Sequence, residues 1–395
     1  MKIIALLSRV PWPLEKGDKL RAYHQLRCLS EKHTVVLFAI SHGRIHPKAI
    51  EELKKFCHTV HLVETSLLST LFNMGAAWLK GLPAQAGYFF NKKAYRKLKS
   101  LVAEENPDHL YCQLVRMGEY SKGIHLPKTL DYQDVFSEGV KRRMEKASWW
   151  VKPFFKAEYK RMASYESALF DCFDNKTIIA ATDRDLIQHP LKHQIHVIEN
   201  GVDTAFFTEI PHEKDTDLVF TGNMSYPPNV LAAEFIVNQI IPACQKLGFT
   251  PTVLLAGATP APRVKLLASN LVTVTGWIDD IRTAYARSKI FIAPMQIGTG
   301  LQNKLLEAMS MKMPSITSTL ANSSLGANPN KEVLIGDTAM DYARLILLLL
   351  ENPAKASDLA QHGQNFVKTN FNWEASTRRL ETIITTTIKT QTAAD

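Results

Sequence analysis

The sequence predicts an α/β protein built from two doubly wound parallel sheets in succession. Three observations carry this. Short apolar or β-branched runs alternate with amphipathic stretches, the mark of a parallel sheet wrapped by helices. The alternation breaks once, at the turn dipeptide Asn200-Gly201, and then resumes. Too many strand-like runs are present for a single open sheet.

The elements follow in order. Ile3 to Leu7 is an apolar run of five residues that reads as a first strand and is too short for a signal-peptide core. KLRAYHQLRCLSE is the first helix, TVVLFAI the next strand, PKAIEELKKF a second helix and TVHLV a third strand. TIIA and HVIEN close the first half. After a polar stretch, DLVFTG, TVLLAG, LVTVTGW, KIFIAP and PSITS repeat the pattern, each followed by a turn or a helix-like segment. The acidic segment between predicts a linker near residues 199 to 215. NWEASTRRLETIITTTIKT reads as a long helix with no strand of its own. The expected division is therefore 1–200, 201–372 and a terminal helix, 373–395, which returns to the first domain.

The bulk composition, 46% hydrophobic and 22% charged over 395 residues, is that of a globular chain with two cores. Cys28, Cys57, Cys112, Cys172 and Cys244 show neither disulfide nor zinc spacing, so reduced thiols are expected. The apolar run Leu345 to Leu350 falls far below the roughly 20 residues a membrane span needs. These features together predict a cytoplasmic location. The net charge of +9 calls for an acidic partner. No helix-turn-helix, RNP or zinc-finger pattern supports nucleic acid as that partner.

Glycine-bearing turns after strand-like runs are where open parallel sheets bind ligands. Gly17 follows the first strand and opens a helix whose free N–H groups suit an anion; a plain loop glycine would look the same. The densest constellation is KIFIAPMQIGTGLQNKLLEAMSMKMP. There a strand runs into Gly298, Thr299, Gly300 and Leu301, and then into a helix bearing Lys304 and Glu307 on one face. A lysine beside exposed helix-start amides suits a diphosphate, and a carboxylate one turn deeper suits sugar or ribose hydroxyls. An ordinary surface Lys/Glu pair is the alternative. Arg116, Asp131 and Asp134 follow strand-like runs in the first half and are candidate cleft residues, against the reading of helix caps and a surface arginine. The thirteen histidines show no metal-ligand spacing.

The segment KRRMEKASWWVKPFFKAEYKRM, residues 141–162, sets eight basic residues against two acidic ones and interleaves Trp149, Trp150, Phe154 and Phe155. This is the composition of a surface lying in an anionic lipid interface. A helix with its aromatics in the core is the competing reading.

Strand, Gly-rich turn, NKxxEAM helix and a following Pro strand together resemble the donor site of glycosyltransferase family 4. LVFTGNMSYPPN, HVIENGVDTAFF and VTGWIDDIRTAYARSKIFIAPM are similar to other elements of that family, so the likeness covers nearly the whole chain. SRVPWPLEKGDKLR and LYCQLVRMGEY to LDYQDVFS resemble a subgroup associated with PEP-CTERM exopolysaccharide systems. The resemblance implies a GT-B fold, two Rossmann-like domains facing each other across a cleft. It also implies a retaining, metal-independent transfer of a hexose-type sugar from a nucleotide-diphosphate sugar to a glycan or lipid-linked acceptor. No cofactor is implied. Glu307 would bind ribose hydroxyls and Lys304 the diphosphate. Gly17, Gly222 and Asn223 would lie by the phosphates, with backbone at Trp277 and Ile278 on the base and Arg116 and Asp134 toward acceptor or donor sugar. The chain departs from the family where the first glutamate of the E-x7-E pattern is Thr299, and where TGNMSYPPN lacks the usual Arg and Lys. A nucleotide-sugar epimerase of the same fold and a non-catalytic nucleotide-sugar-binding protein are the alternatives.

Overall fold

A computed structural model describes residues 1–297 and 300–392. The chain divides into two compact units, 1–199 together with the terminal helix, and 200–372.

In the first unit the strands are β1 (Lys2–Leu7), β2 (Thr34–Ser41), β3 (Thr59–Glu64), β4 (His109–Gln113), β5 (Lys128–Asp131), β6 (Asn175–Ile178) and β7 (His196–Val197). They form a parallel sheet in the order β3-β2-β1-β4-β5-β6-β7. Both faces are covered, which is why the inner strands are apolar throughout instead of alternating. In β1, Ile4 and Leu6 enter one hydrophobic core while Ile3, Ala5 and Leu7 enter the other. The helix Trp373–Thr392 belongs to this second core, where Leu380 and Ile384 are fully buried. Trp373 stacks on His24 with ring centres 5.0 Å apart.

The second unit adds β8 (Thr216–Thr221), β9 (Val253–Ala256), β10 (Val272–Val274), β11 (Ser288–Ala293), β12 (Ser315–Thr317) and β13 (Leu334–Ile335), ordered β10-β9-β8-β11-β12-β13 and all parallel. Its two ends are tied together, for Val202 forms a parallel bridge with Asn372. Residues 200–215 are not the free linker that their polarity predicts. Phe207 and Ile210 pack on the core of this unit, the Ser310 hydroxyl donates to Phe207 O, and the Arg282 guanidinium covers the Phe206 ring at 4.0 Å. The acidic composition reports the outer side of the segment and not its aromatic anchors.

Two glycines set how closely the β8 and β9 turns approach. Gly222 and Gly257 both hold φ +144, and a Cβ on Gly257 would stand 1.9 Å from Gly222 O. Gly257→Ala is expected to cost the second unit about 2–4 kcal/mol, combining backbone strain with overpacking. Gly276→Ala, with φ +77 but open space around it, should lose about 1 kcal/mol from strain alone. Urea denaturation of both variants checks the difference.

Candidate functional site

Ligand crevices in open parallel sheets form where the strand order reverses, beyond the carboxyl ends of the strands. In the second unit that point lies between β8 and β11, so the loops leaving those strands flank it. The β8 loop carries Gly222 and Asn223; the β11 loop leads through Gly300 and Leu301 into the helix Asn303–Ser310. Gly298 and Thr299 lie outside the described residues.

Lys304 and Glu307 both sit at this point. The Lys304 ammonium bonds Asn229 Oδ1 at 2.6 Å, lies 3.3 Å from Gln302 Oε1, and stands 5.0 Å above the Phe220 ring. A Cβ on Gly222 would come 2.7 Å from Asn229 Nδ2, so the absence of a side chain there leaves room for the carboxamide that holds Lys304. Although both residues keep some solvent-accessible surface, their charged ends are enclosed. Burial lowers the Lys304 ammonium to about 7, with Glu307 pulling the other way. Burial raises the Glu307 carboxyl, opposed by the Tyr285 hydrogen bond and by Lys304. The Tyr285 hydroxyl donates to Glu307 Oε2 at 2.7 Å and lies 2.8 Å from Thr221 Oγ1, which fixes the carboxylate from β8.

Among the described residues the N-cap side chain of helix Asn303–Ser310 takes up none of the first N–H groups, and the Gln302 amide instead donates back to Gly300 O. An enclosed ammonium beside helix-start amides that no N-cap side chain takes up is an anion-binding arrangement. The carboxylate held one turn deeper accepts hydrogen bonds from hydroxyls.

The other expected donor residues lie at the same end of the sheet. The Asn223 carboxamide oxygen is taken up by its own turn, accepting from Ser225 N, Ser225 Oγ and Thr259 Oγ1. Asn223 thus shapes the loop, and its carbonyl receives Asn229 Nδ2 at 2.9 Å. Trp277 is exposed with its indole N–H on Asp279, and Ile278 packs on the core, both just past Gly276 at the end of β10. Leu301 also packs on the core. Asn229, Tyr285 and Gly257 were not anticipated as site residues, although the first two lie in segments similar to the family and the third ends a strand-like run. Their roles follow from strand order, which no local spacing reveals.

In the first unit the reversal falls between β1 and β4. Gly17 opens the helix Gly17–Ser30 after β1, again with no side-chain cap. Arg116 follows β4, buried between the rings of Phe89 and Phe136 at 4.4 and 5.2 Å, and its Nη2 donates to Asp18 at 3.2 Å. Arg9 donates to the same Asp18 oxygen at 2.6 Å. Burial and the neighbouring Arg9 lower Arg116 to about 10, leaving it charged at neutral pH. Asp134 is exposed, with Oδ1 on Val135 N. Asp131 is no cleft residue. It is fully buried and takes Arg21 Nε at 2.7 Å, Arg21 Nη2 at 3.1 Å and Thr177 Oγ1 at 2.8 Å. Its place at the end of a strand resembled a site position, but its partners come from the first helix and from β6.

Among the described residues no helix is long and apolar enough to cross a membrane. Residues 215–352 match the family model described as glycosyl transferases group 1, a span that contains the β8 and β11 loops, Lys304 and Glu307. A Klebsiella pneumoniae protein, described as an uncharacterized 44.6 kDa protein in the cps region, is 21% identical over 94% of this chain and 96% of its own. Sucrose-phosphate synthase from Thermosynechococcus elongatus superposes with a TM-score of 0.71 at 16% identity, covering 100% of both chains. HepE of Anabaena in complex with UDP-glucose gives 0.68 at 14% identity, over 98% of this chain and 99% of that one. The fold is GT-B, two Rossmann-like units each built on a parallel sheet.

Proposed function

We propose that the chain is a retaining glycosyltransferase of family 4 type. It takes a hexose-type sugar from a nucleotide-diphosphate donor held by residues 200–372 and passes it to a glycan or lipid-linked acceptor held by the first unit. The observation that carries this is the enclosed Lys304 at the reversal point, beside uncapped helix-start amides and one turn from a carboxylate tethered by Tyr285. The match of residues 215–352 supports glycosyl transfer, and the cps-region relative supports an exopolysaccharide setting; the PEP-CTERM-associated kind rests on the resemblance of SRVPWPLEKGDKLR and LYCQLVRMGEY to LDYQDVFS alone.

In this reading the diphosphate lies against Lys304, the first amides of helix Asn303–Ser310 and the turn at Gly222. Glu307 accepts from the ribose hydroxyls. Trp277 and Ile278 border the base, and Gly298, Thr299 and Gly300 border the sugar. As the bond from the anomeric carbon to phosphate breaks, the acceptor oxygen bonds that carbon and its proton passes to the departing phosphate. The protein then needs no strong base, no metal and no cofactor. Its contribution is charge placed where negative charge grows on the leaving group. Gly17, at the start of helix Gly17–Ser30, borders the phosphates from the first unit, and Arg116 and the exposed Asp134 serve the acceptor or the donor sugar. The exposed Trp149 and Trp150 support contact of residues 141–162 with an anionic membrane surface.

The test is a thermal-shift panel of UDP-, GDP-, ADP- and dTDP-sugars on the protein and on Lys304→Ala and Glu307→Ala. A donor at 100 times its Kd should stabilise the unmodified protein by about 2.7 kcal/mol. One nucleotide class should act, and act on neither variant. No response to any of the four would remove the donor site, and epimer formed without acceptor would identify an isomerase instead.

A further inference from the structure

The helix Leu67–Leu79 is built inside out. Its sequence, LLSTLFNMGAAWL, holds no charged residue. The face turned to the protein is small or polar: Thr70 and Ala77 are buried, and Asn73 Nδ2 donates to Phe90 O at 3.0 Å. The face turned outward carries Leu67, Leu68, Leu71, Phe72 and Leu79, with Leu68 83% and Phe72 77% exposed. At 100° per residue these five span one continuous arc, so the apolar side is a stripe and not a scatter of single residues. Contiguous apolar surface of this kind marks an interaction site.

This helix is fastened to the one that carries the basic aromatic stretch. Trp78 stacks on Phe154 with ring centres 6.1 Å apart. Arg161 lies 3.9 Å over the Trp78 ring and donates to Trp78 O. Helix Lys152–Phe170 begins at that contact, and just before it stand Trp149, 85% exposed, and Trp150. Lys80, which follows the first helix, Arg142 and Arg143, which precede the tryptophans, and Lys152 and Lys156 at the start of the second helix are all exposed.

We infer that helix Leu67–Leu79 inserts its outer face into the interfacial layer of an anionic lipid bilayer, with Trp149 and Trp150 at headgroup depth and the surrounding cations on lipid phosphates. The charge decides the occupant. Two copies of this face would bring their lysines and arginines together, whereas an anionic surface pairs with them. Thirteen residues make about 20 Å of helix, short of the roughly 30 Å hydrocarbon core, so the helix lies in the plane of the interface. The inference builds on the contact proposed for residues 141–162, yet the two fail separately.

The experiment is co-sedimentation of the full chain with phosphatidylglycerol/phosphatidylcholine vesicles and with phosphatidylcholine vesicles alone. The unmodified protein should bind the anionic vesicles. Leu68→Glu with Phe72→Glu should weaken partition on the order of tenfold or more, with an unchanged melting temperature because both side chains are exposed. Lys152→Glu with Lys156→Glu should abolish the preference for anionic lipid. Binding by the Leu68/Phe72 variant equal to that of the unmodified protein overturns insertion while leaving the 141–162 contact standing. Failure of the unmodified protein to bind either vesicle overturns both. Self-association that vanishes in the Leu68/Phe72 variant, without vesicle binding, makes a second copy the occupant and overturns the inference.

Discussion

Lys304→Met should lower kcat/KM by about 10²–10³-fold, the range seen when one preorganised donor to a developing anion is removed. The loss should come with a second signature. In the free protein the ammonium is lowered to about 7 from an ordinary 10.5, so at pH 8 it is mostly neutral. A bound diphosphate favours the charged form and must draw a proton from solution. Calorimetry at pH 8 in buffers of different ionisation enthalpy should show uptake approaching about one proton per donor bound. Donor affinity should fall as pH rises above 7, and the uptake should vanish in Lys304→Met. The sign for folding is opposite to that of a stabilised cation. Because the folded value is below the unfolded one, the unfolded chain holds more protons between pH 7 and 10.5, and this group's contribution to stability increases across that window. Unchanged kcat/KM with pH-independent binding would mean that Lys304 is a packing residue.

Asp131→Ala should destabilise the first unit by about 3–5 kcal/mol, since it leaves the fully buried Arg21 guanidinium without its carboxylate. Burial lowers Arg21, but Asp131, with Tyr111 and Glu199, more than offsets it and the net shift is upward. Tyr111 and Gln25 complete the cluster, the Tyr111 hydroxyl lying 2.6 Å from Gln25 Oε1 and 3.0 Å from Asp131 Oδ2. Arg21→Met combined with Asp131→Leu should recover most of the loss, because two apolar groups of similar volume leave no charge unpaired. Chemical denaturation of the single and double variants checks both statements. Equal stability of Asp131→Ala and the unmodified protein would show that water reaches the guanidinium.

The architecture was legible where burial on both faces makes a strand apolar along its whole length. Val35 to Ile40 in β2 and Ile290 to Ala293 in β11 are such runs, and each has a paired strand on either side. β13, two residues long, carries no pattern of its own, since a single edge pairing with β12 defines it. The candidate site was legible to the extent that it is local. Lys304 and Glu307 share a helix face by spacing alone, and Gly222 follows an evident strand. The partners that determine their chemistry are far away in sequence. Asn229 reaches Lys304 across 75 residues and Tyr285 reaches Glu307 across 22, so neither the lowered ammonium nor the tethered carboxylate could be read from a motif. Asp131 misled for the same reason, because its arginine lies 110 residues earlier.

The terminal helix has a consequence for the order in which the protein can be completed. Trp373, Leu380 and Ile384 pack into the unit that the ribosome makes first, yet they are translated only after the whole of the second unit. At 5–20 residues per second, synthesis of residues 200–372 takes on the order of ten to thirty seconds. Throughout that interval the nascent first unit presents an open apolar groove along helix Gly17–Ser30. The second unit, whose ends are joined at Val202 and Asn372, can close in the meantime. A stop codon near position 372 would therefore spare the later half of the protein and leave the earlier half unfinished.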